Sequence, residues 1–248
     1  MAISGTYTFN PDISELVEEA YERAGLELRS GYDLRTARRS LNFLMLEWQN
    51  RGLNLWTIEE KTLLGGGTDD TLVQGTDTYN IALGTIGLLD VILRTNAGNA
   101  NTQSDYHLSR VSEPTYANIP AKLTQARPLQ YLFNRIEILS GDSSGTDVPS
   151  TITLWPIPDK SDEYTILYWR VKRIADTGDV ASNTMQVPDR FLPALVAGLA
   201  YQLATKRPEA AQRVPFLKQQ YDEIFMEAAD EDRVKTSARF VPRISYIR

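Results

Sequence analysis

Val187 to Pro208, VPDRFLPALVAGLAYQLATKRP, is the stretch from which the rest of the chain can be read. It joins a proline-acid start to a basic, proline-marked stop. Between them Phe191, Leu192, Leu195, Val196, Leu199 and Leu203 recur at spacings of three and four, which sets them along one side of a helix. Ala194, Ala197, Gly198, Ala200 and Ala204 fill much of the remaining surface, and residues this small let other helices approach on more than one side. The segment is expected to be the centre of a helix bundle. A membrane span needs roughly 20 apolar residues, and this one is shorter and closes on Lys206 and Arg207. Pro193 costs one early backbone hydrogen bond, so regular helix is expected from about Leu192.

A helix of this kind needs partners, and the chain holds three. Downstream, a long helix is expected from about Glu209 to Val234, with Leu217, Tyr221, Ile224, Phe225 and Ala228 as its inward stripe and Pro215 either kinking it or marking its true start. At the other end of the chain, Pro11 and Asp12 open a helix whose apolar positions are Ile13, Leu16, Val17, Ala20, Tyr21 and Ala24, with Gly25 as its stop. Glu15, Glu18, Glu19 and Glu22 point elsewhere. A further helix runs from about Tyr32 to Arg51, with Leu34, Ala37, Leu41, Leu44 or Met45, and Trp48 inward, and halts at Gly52. Arg35, Arg38 and Arg39 gather near its start. They read as a solvated face balancing the acidic first helix, or as a contact for a partner's acidic surface.

Between the two helical pairs the composition changes. Strands are expected at Leu55 to Leu64, Thr78 to Leu83, Leu88 to Thr95, His107 to Val111, Leu129 to Phe133, Ser150 to Trp155 and Tyr164 to Ile174. In the last, Ile166, Tyr168 and Arg170 alternate with Thr165, Leu167, Trp169 and Val171, so one face is more buried than the other. Ser112 to Pro120 reads as a capped helical turn. The fold class is α+β: a bundle of the N- and C-terminal helix pairs (1–53 and 187–234) with an inserted antiparallel β-sandwich or barrel (54–186). Residues 235–248, KTSARFVPRISYIR, stand apart, carrying basic residues and no acid among Phe240, Val241, Ile244, Tyr246 and Ile247. Disordered tails have few such apolar residues, and this one reads as made to dock.

The 248 residues include no cysteine, one histidine and a net charge of −6. Disulfides and thiolate metal sites are excluded, and a surface built throughout to hold nucleic acid is disfavoured. The N-terminus has neither the basic nor the apolar region of a secretory signal, so synthesis in a cytosol is expected. His107 is the only route to a histidine-based triad, no serine sits in GxSxG, and the expectation for His107 is structural. Gly65 to Gly67 lack the GK[ST] of a phosphate loop and read as a flexible hairpin loop. Asp142 to Asp147 and Asp230 to Asp232 lack the spacing of a calcium loop and read as solvated. No catalytic residue, metal or cofactor is expected.

Taken together, the stretches LWTIEEKTLL, GTDTYNIALGTIGLLDVILR, RPLQYLF, TITLWPIPD, YTILYWRVKRI, VPDRFLPALVAGLAYQLATKRPE and RFVPR, from about Pro11 to Arg243, resemble the head-to-tail adaptor proteins of tailed bacteriophages, especially short-tailed ones. The most specific parts are Thr153 to Asp159 and Val187 to Tyr201. The resemblance implies a structural virion protein, without enzymatic activity, that forms a homo-oligomeric ring, usually of twelve copies, under the portal protein. Its further partners would be tail components (nozzle or tube, and tail fibres) and genomic DNA passing through the lumen without specific binding; no membrane is involved. Family members clasp the portal with an extended C-terminal segment. The resemblance thereby implies portal contacts at Arg239, Phe240, Val241, Arg243, Ile244, Tyr246 and Ile247. A largely acidic lumen would let DNA slide.

Two other readings stay open at this stage. One is a tail-tube or head-closure component, which would not need the apolar-basic tail. The other is a virion-carried hydrolase, which needs two carboxylates in one cleft. Glu59 and Glu60 are the only adjacent pair on an expected strand, and strand neighbours point to opposite faces.

Overall fold

The computed structural model describes residues 9–29, 31–52, 55–67, 70–136, 147–178 and 183–232. The chain divides into two compact units, one of Met1–Leu55 with Ala175–Arg248 and one of Trp56–Ile174. The fold is mixed α+β, with helices concentrated in the first unit and two sheets in the second.

In the first unit α1 (Ile13–Ala24) begins with a capping box: Asp12 accepts the Glu15 N–H at 2.9 Å and Glu15 accepts the Asp12 N–H at 3.2 Å. It ends where Gly25 takes the left-handed conformation, φ 71°, that glycine adopts without a Cβ penalty. α2 (Gly31–Arg51) follows. A 3-10 turn at Asp189–Phe191 leads into the central helix. With the short helix α3 (Glu113–Ala117) in the other unit, the central helix is α4 (Leu192–Lys206) and the last is α5 (Val214–Glu231). The helix expected from Glu209 opens instead as a 3-10 turn over Pro208–Arg213. Pro215, in the first turn of α5, marks the true start, because a residue without N–H fits only where no helical donor is needed.

α4 packs against α1, α2 and α5. It is buried on almost every side, as its alanines imply. The closest approach is at Gly198, where a Cβ would lie 2.8 Å from the Tyr221 ring and 2.9 Å from Leu44. Around it sits an aromatic cluster. Trp48 lies 5.6 Å from Phe191 and 5.4 Å from Phe225, centroid to centroid, and its indole N–H donates to the Tyr221 hydroxyl at 2.8 Å. That bond satisfies two polar atoms that burial would otherwise penalise. The same burial pushes the Tyr221 phenol up to about 12.

In the second unit β1 (Ile58–Thr62), β8 (Tyr164–Lys172), β3 (Thr85–Thr95) and β4 (Ser104–His107) form one sheet in the order β1-β8-β3-β4, all antiparallel. β2 (Thr78–Asn80), β7 (Thr151–Trp155), β6 (Gln130–Asn134) and β5 (Ser109–Val111) form the other in the order β2-β7-β6-β5. Side chains of both sheets, among them Val91, Ile166 and Tyr168 from the first and Phe133, Ile152 and Leu154 from the second, make one buried cluster.

Four expectations for the β block are corrected. The sheets are separate and do not close into a barrel. The β block is not wholly antiparallel, because β5 pairs parallel with β6; the chain between them, 112–129, includes α3 and is long enough for the crossover a parallel pair requires. The expected single strand from His107 to Val111 is split, since Leu108 is buried and turns the chain from one sheet to the other, its N–H donating to Val91 O (2.9 Å) and that of Ser109 to Leu129 O (3.0 Å). Likewise β1 and β2 belong to different sheets, so the glycines between them do not form a hairpin loop. Gly65 lies so close to the chain at Thr71 that a Cβ would come within 2.1 Å of its carbonyl oxygen, and Gly67 N–H donates to that same oxygen at 3.0 Å.

Candidate interface

Arg239, Phe240, Val241, Arg243, Ile244, Tyr246 and Ile247 lie outside the described residues. The point from which they depart is described. Asp232 is buried just past the end of α5, where one carboxylate oxygen accepts the Leu55 N–H at 2.8 Å and the other pairs with Arg190. This residue of the acidic run Asp230 to Asp232, expected to be solvated, is therefore an anchor. It fixes the last turn of α5 to the turn that opens α4.

Beside that turn, α1 and the start of α4 enclose a groove of about 750 Å³. Leu16, Leu192 and Val196 wall it, and Phe9, 79% exposed, stands at its mouth. Its rim is acidic because the polar face of α1 borders it: Glu15, Glu18, Glu19 and Glu22 all line it, joined by Asp189. Arg23 is the one cation of the lining and is bonded to Glu19 at 2.7 Å, one turn back. Glu18 and Glu22 have no ion-pair partner among the described residues. Their carboxylates add to one another's potential over the groove.

A surface of opposite sign lies on α2. Arg35, Arg39, Phe43 and Leu46 follow one another at helical spacing on its outward face, and Phe43 and Leu46 are 58% and 39% exposed. Lys206, at the last turn of α4, sits against this face, its ammonium bonded to the Ser40 hydroxyl. Burial, with the Arg39 guanidinium nearby, pulls its pKa below the ordinary lysine value. No carboxylate pairs with Arg35 or Arg39 among the described residues. By contrast Arg207 is paired, with the buried carboxylate of Asp33. The sequence shows Arg35, Arg38 and Arg39 clustered near the start of this helix, but not the groove, which joins segments far apart in the chain.

Elsewhere, the residues singled out for chemistry sit in other surroundings. His107 is exposed, with Nδ1 3.4 Å from the Asp90 carboxylate. Glu59 is bonded to Lys61 and to Arg170, at 3.0 Å each, and these partners hold its carboxyl below the usual glutamate range, the opposite of what a general acid needs. The TLWPIPD stretch is a structural knot: Trp155 donates its indole N–H to Ala121 O at 3.2 Å, Ile157 N–H bonds Thr124 O at 2.9 Å, and Asp159 accepts the Tyr164 hydroxyl at 2.8 Å. Among the described residues no three His, Asp or Glu gather as a metal site would require, and no helix is long and apolar enough to cross a membrane.

Among the described residues, the helical unit presents an acidic groove and a basic-apolar helix surface. A family model described as SU10 adaptor protein matches residues 11–243. The chain belongs to the SU10 adaptor protein family, whose members are structural adaptors of phage particles. No curated protein matches the chain.

Proposed function

We propose that this protein is the ring-forming adaptor between the portal and the tail of a tailed phage, forming part of the DNA channel. The observation that carries the reading is the family match, which runs from the first helix through TLWPIPD and the central helix to RFVPR. In this reading residues 1–53 and 187–234 form a helical bundle that packs side by side around the ring, and 54–186 form a β-sandwich directed at tail components. Residues 235–248 clasp the portal: Phe240, Val241, Ile244, Tyr246 and Ile247 supply buried area, while Arg239 and Arg243 register against carboxylates. The fixed departure point at Asp232 supports this role for the tail, and resemblance to short-tailed phage adaptors supports placing the particle in that group. A net charge of −6 suits a lumen through which DNA slides.

The test mixes the protein with the portal ring of the same genome and weighs the product by native mass spectrometry, beside a version ending at Ala238. Full-length protein is expected to add as a complete ring and the shortened one to fail. Equal binding by both removes the clasp, and binding by neither moves the protein to another place in the tail.

A further inference from the structure

Resting on the ring reading, we infer that the acidic groove between α1 and the start of α4 receives the basic-apolar face of α2 from a second copy of this chain. Three observations lead there. Charge comes first: Glu18 and Glu22 on the groove rim and Arg35 and Arg39 on the α2 face have no ion-pair partners among the described residues, and their signs are opposite. Shape comes second. A groove walled by Leu16, Leu192 and Val196 takes one side of a helix, and Phe43 and Leu46 continue the Arg35–Arg39 row as exposed apolar anchors. Location comes third. The groove uses the first turns of α4, whereas the basic face adjoins Lys206 at its last turn, about 20 Å of helical rise away. One copy cannot close the two surfaces on each other. Two different patches that meet only between copies make a head-to-tail contact, the kind that generates rings. The apolar residues supply area, and the charges set register and reject wrong partners.

The absence of native cysteine allows a direct test. A chain carrying both Glu18→Cys and Arg39→Cys is oxidised free and on portal rings, then run without reductant. The inference expects a ladder of dimers, trimers and higher species that collapses on reduction. A chain that remains monomeric under both conditions, while circular dichroism shows it folded, overturns it. So does a product in which Glu18→Cys joins Arg243→Cys in place of Arg39→Cys, since the groove then belongs to the C-terminal segment. In a second measurement, Arg35→Glu/Arg39→Glu and Glu18→Arg/Glu22→Arg are each expected to lose about tenfold or more of assembled species alone, from like-charge contact, and to recover it when mixed in equal amounts. Failure of the mixture to recover, with each variant folded, overturns the pairing. Portal loading of the unaltered protein is scored in parallel. A ladder without portal binding leaves this contact standing and removes the portal role; portal binding without a ladder does the reverse.

Discussion

Replacing Arg170 by Met tests what holds the β unit together. Arg170 is 8% exposed and sits on the inward face of β8 behind Ile166 and Tyr168. One of its terminal nitrogens donates to Ala82 O (3.1 Å), Leu83 O (2.8 Å) and Thr85 Oγ1 (2.9 Å), and the other to Glu59 Oε2 (3.0 Å). A single guanidinium thus ties β1, the turn before β3, and β3 itself to β8. Removing one partner of a buried ion pair costs about 3–5 kcal/mol. Here the lower end applies: Glu59 keeps Lys61 and some water, Leu83 is exposed enough for its carbonyl to rehydrate, and Met preserves much of the aliphatic volume. We expect about 3 kcal/mol, and at about 4 °C per kcal/mol for a unit of this size, a midpoint lower by roughly 12 °C. Tryptophan fluorescence during urea unfolding reads the free energy and during heating the midpoint, because Trp56, Trp155 and Trp169 belong to this unit and only Trp48 to the helical one. The double change Arg170→Met/Glu59→Leu should be milder than Arg170→Met alone, since no half-buried carboxylate is left behind and Lys61, which loses Glu59, is exposed enough to hydrate. A loss under about 1 kcal/mol for Arg170→Met would refute the reasoning, placing these bonds in a setting where water replaces them freely.

Other substitutions probe the helical unit. Gly198→Val puts branched carbons where even a Cβ would lie 2.8 Å from Tyr221, and should cost about 2–3 kcal/mol in urea unfolding followed by circular dichroism. Trp48→Phe leaves the buried Tyr221 hydroxyl without its donor and should cost about 2 kcal/mol, read in the same assay. Asp12→Ala removes the cap of α1 at a cost of about 1 kcal/mol, with early loss of amide protection confined to its first turn. The raised Tyr221 pKa makes a prediction in pH. A phenol that holds its proton more tightly when folded contributes stability that is complete below the ordinary value of 10.0 and lost as pH rises through about 12. Ultraviolet titration should show it ionising in step with unfolding, and ionisation near the ordinary value in folded protein would contradict the burial assigned to it.

Periodicity carried the helices. The spacing of Ile13 to Ala24 and of Phe191 to Leu203 could mean little else, and Gly25 and Pro215 mark the boundaries for reasons local to one residue. The strands were legible as strands but not as partners. Nothing in β5 or β6 announces a parallel pair, because pairing depends on the path between them. The break at Leu108 was hidden because no glycine or proline marks it. Arg170 was visible in the alternation of β8, on the face shared with Ile166 and Tyr168. Its purpose was not, since its acceptors lie more than eighty residues away in the chain. The arginines of α2 stood out by their clustering near its start, while the groove needed residues 9–23 brought against 189–196.

The anchoring of Asp232 has a consequence for reach. From that fixed point Tyr246 is fourteen residues on, and a fully extended chain of that length spans at most about 50 Å. On the proposed reading, the point where Tyr246 docks lies within that radius of the end of α5, and tethering raises the local concentration of the segment above that of a free peptide. If residues 239–247 dock as proposed, the pin at Asp232 would turn a modest contact into a durable one.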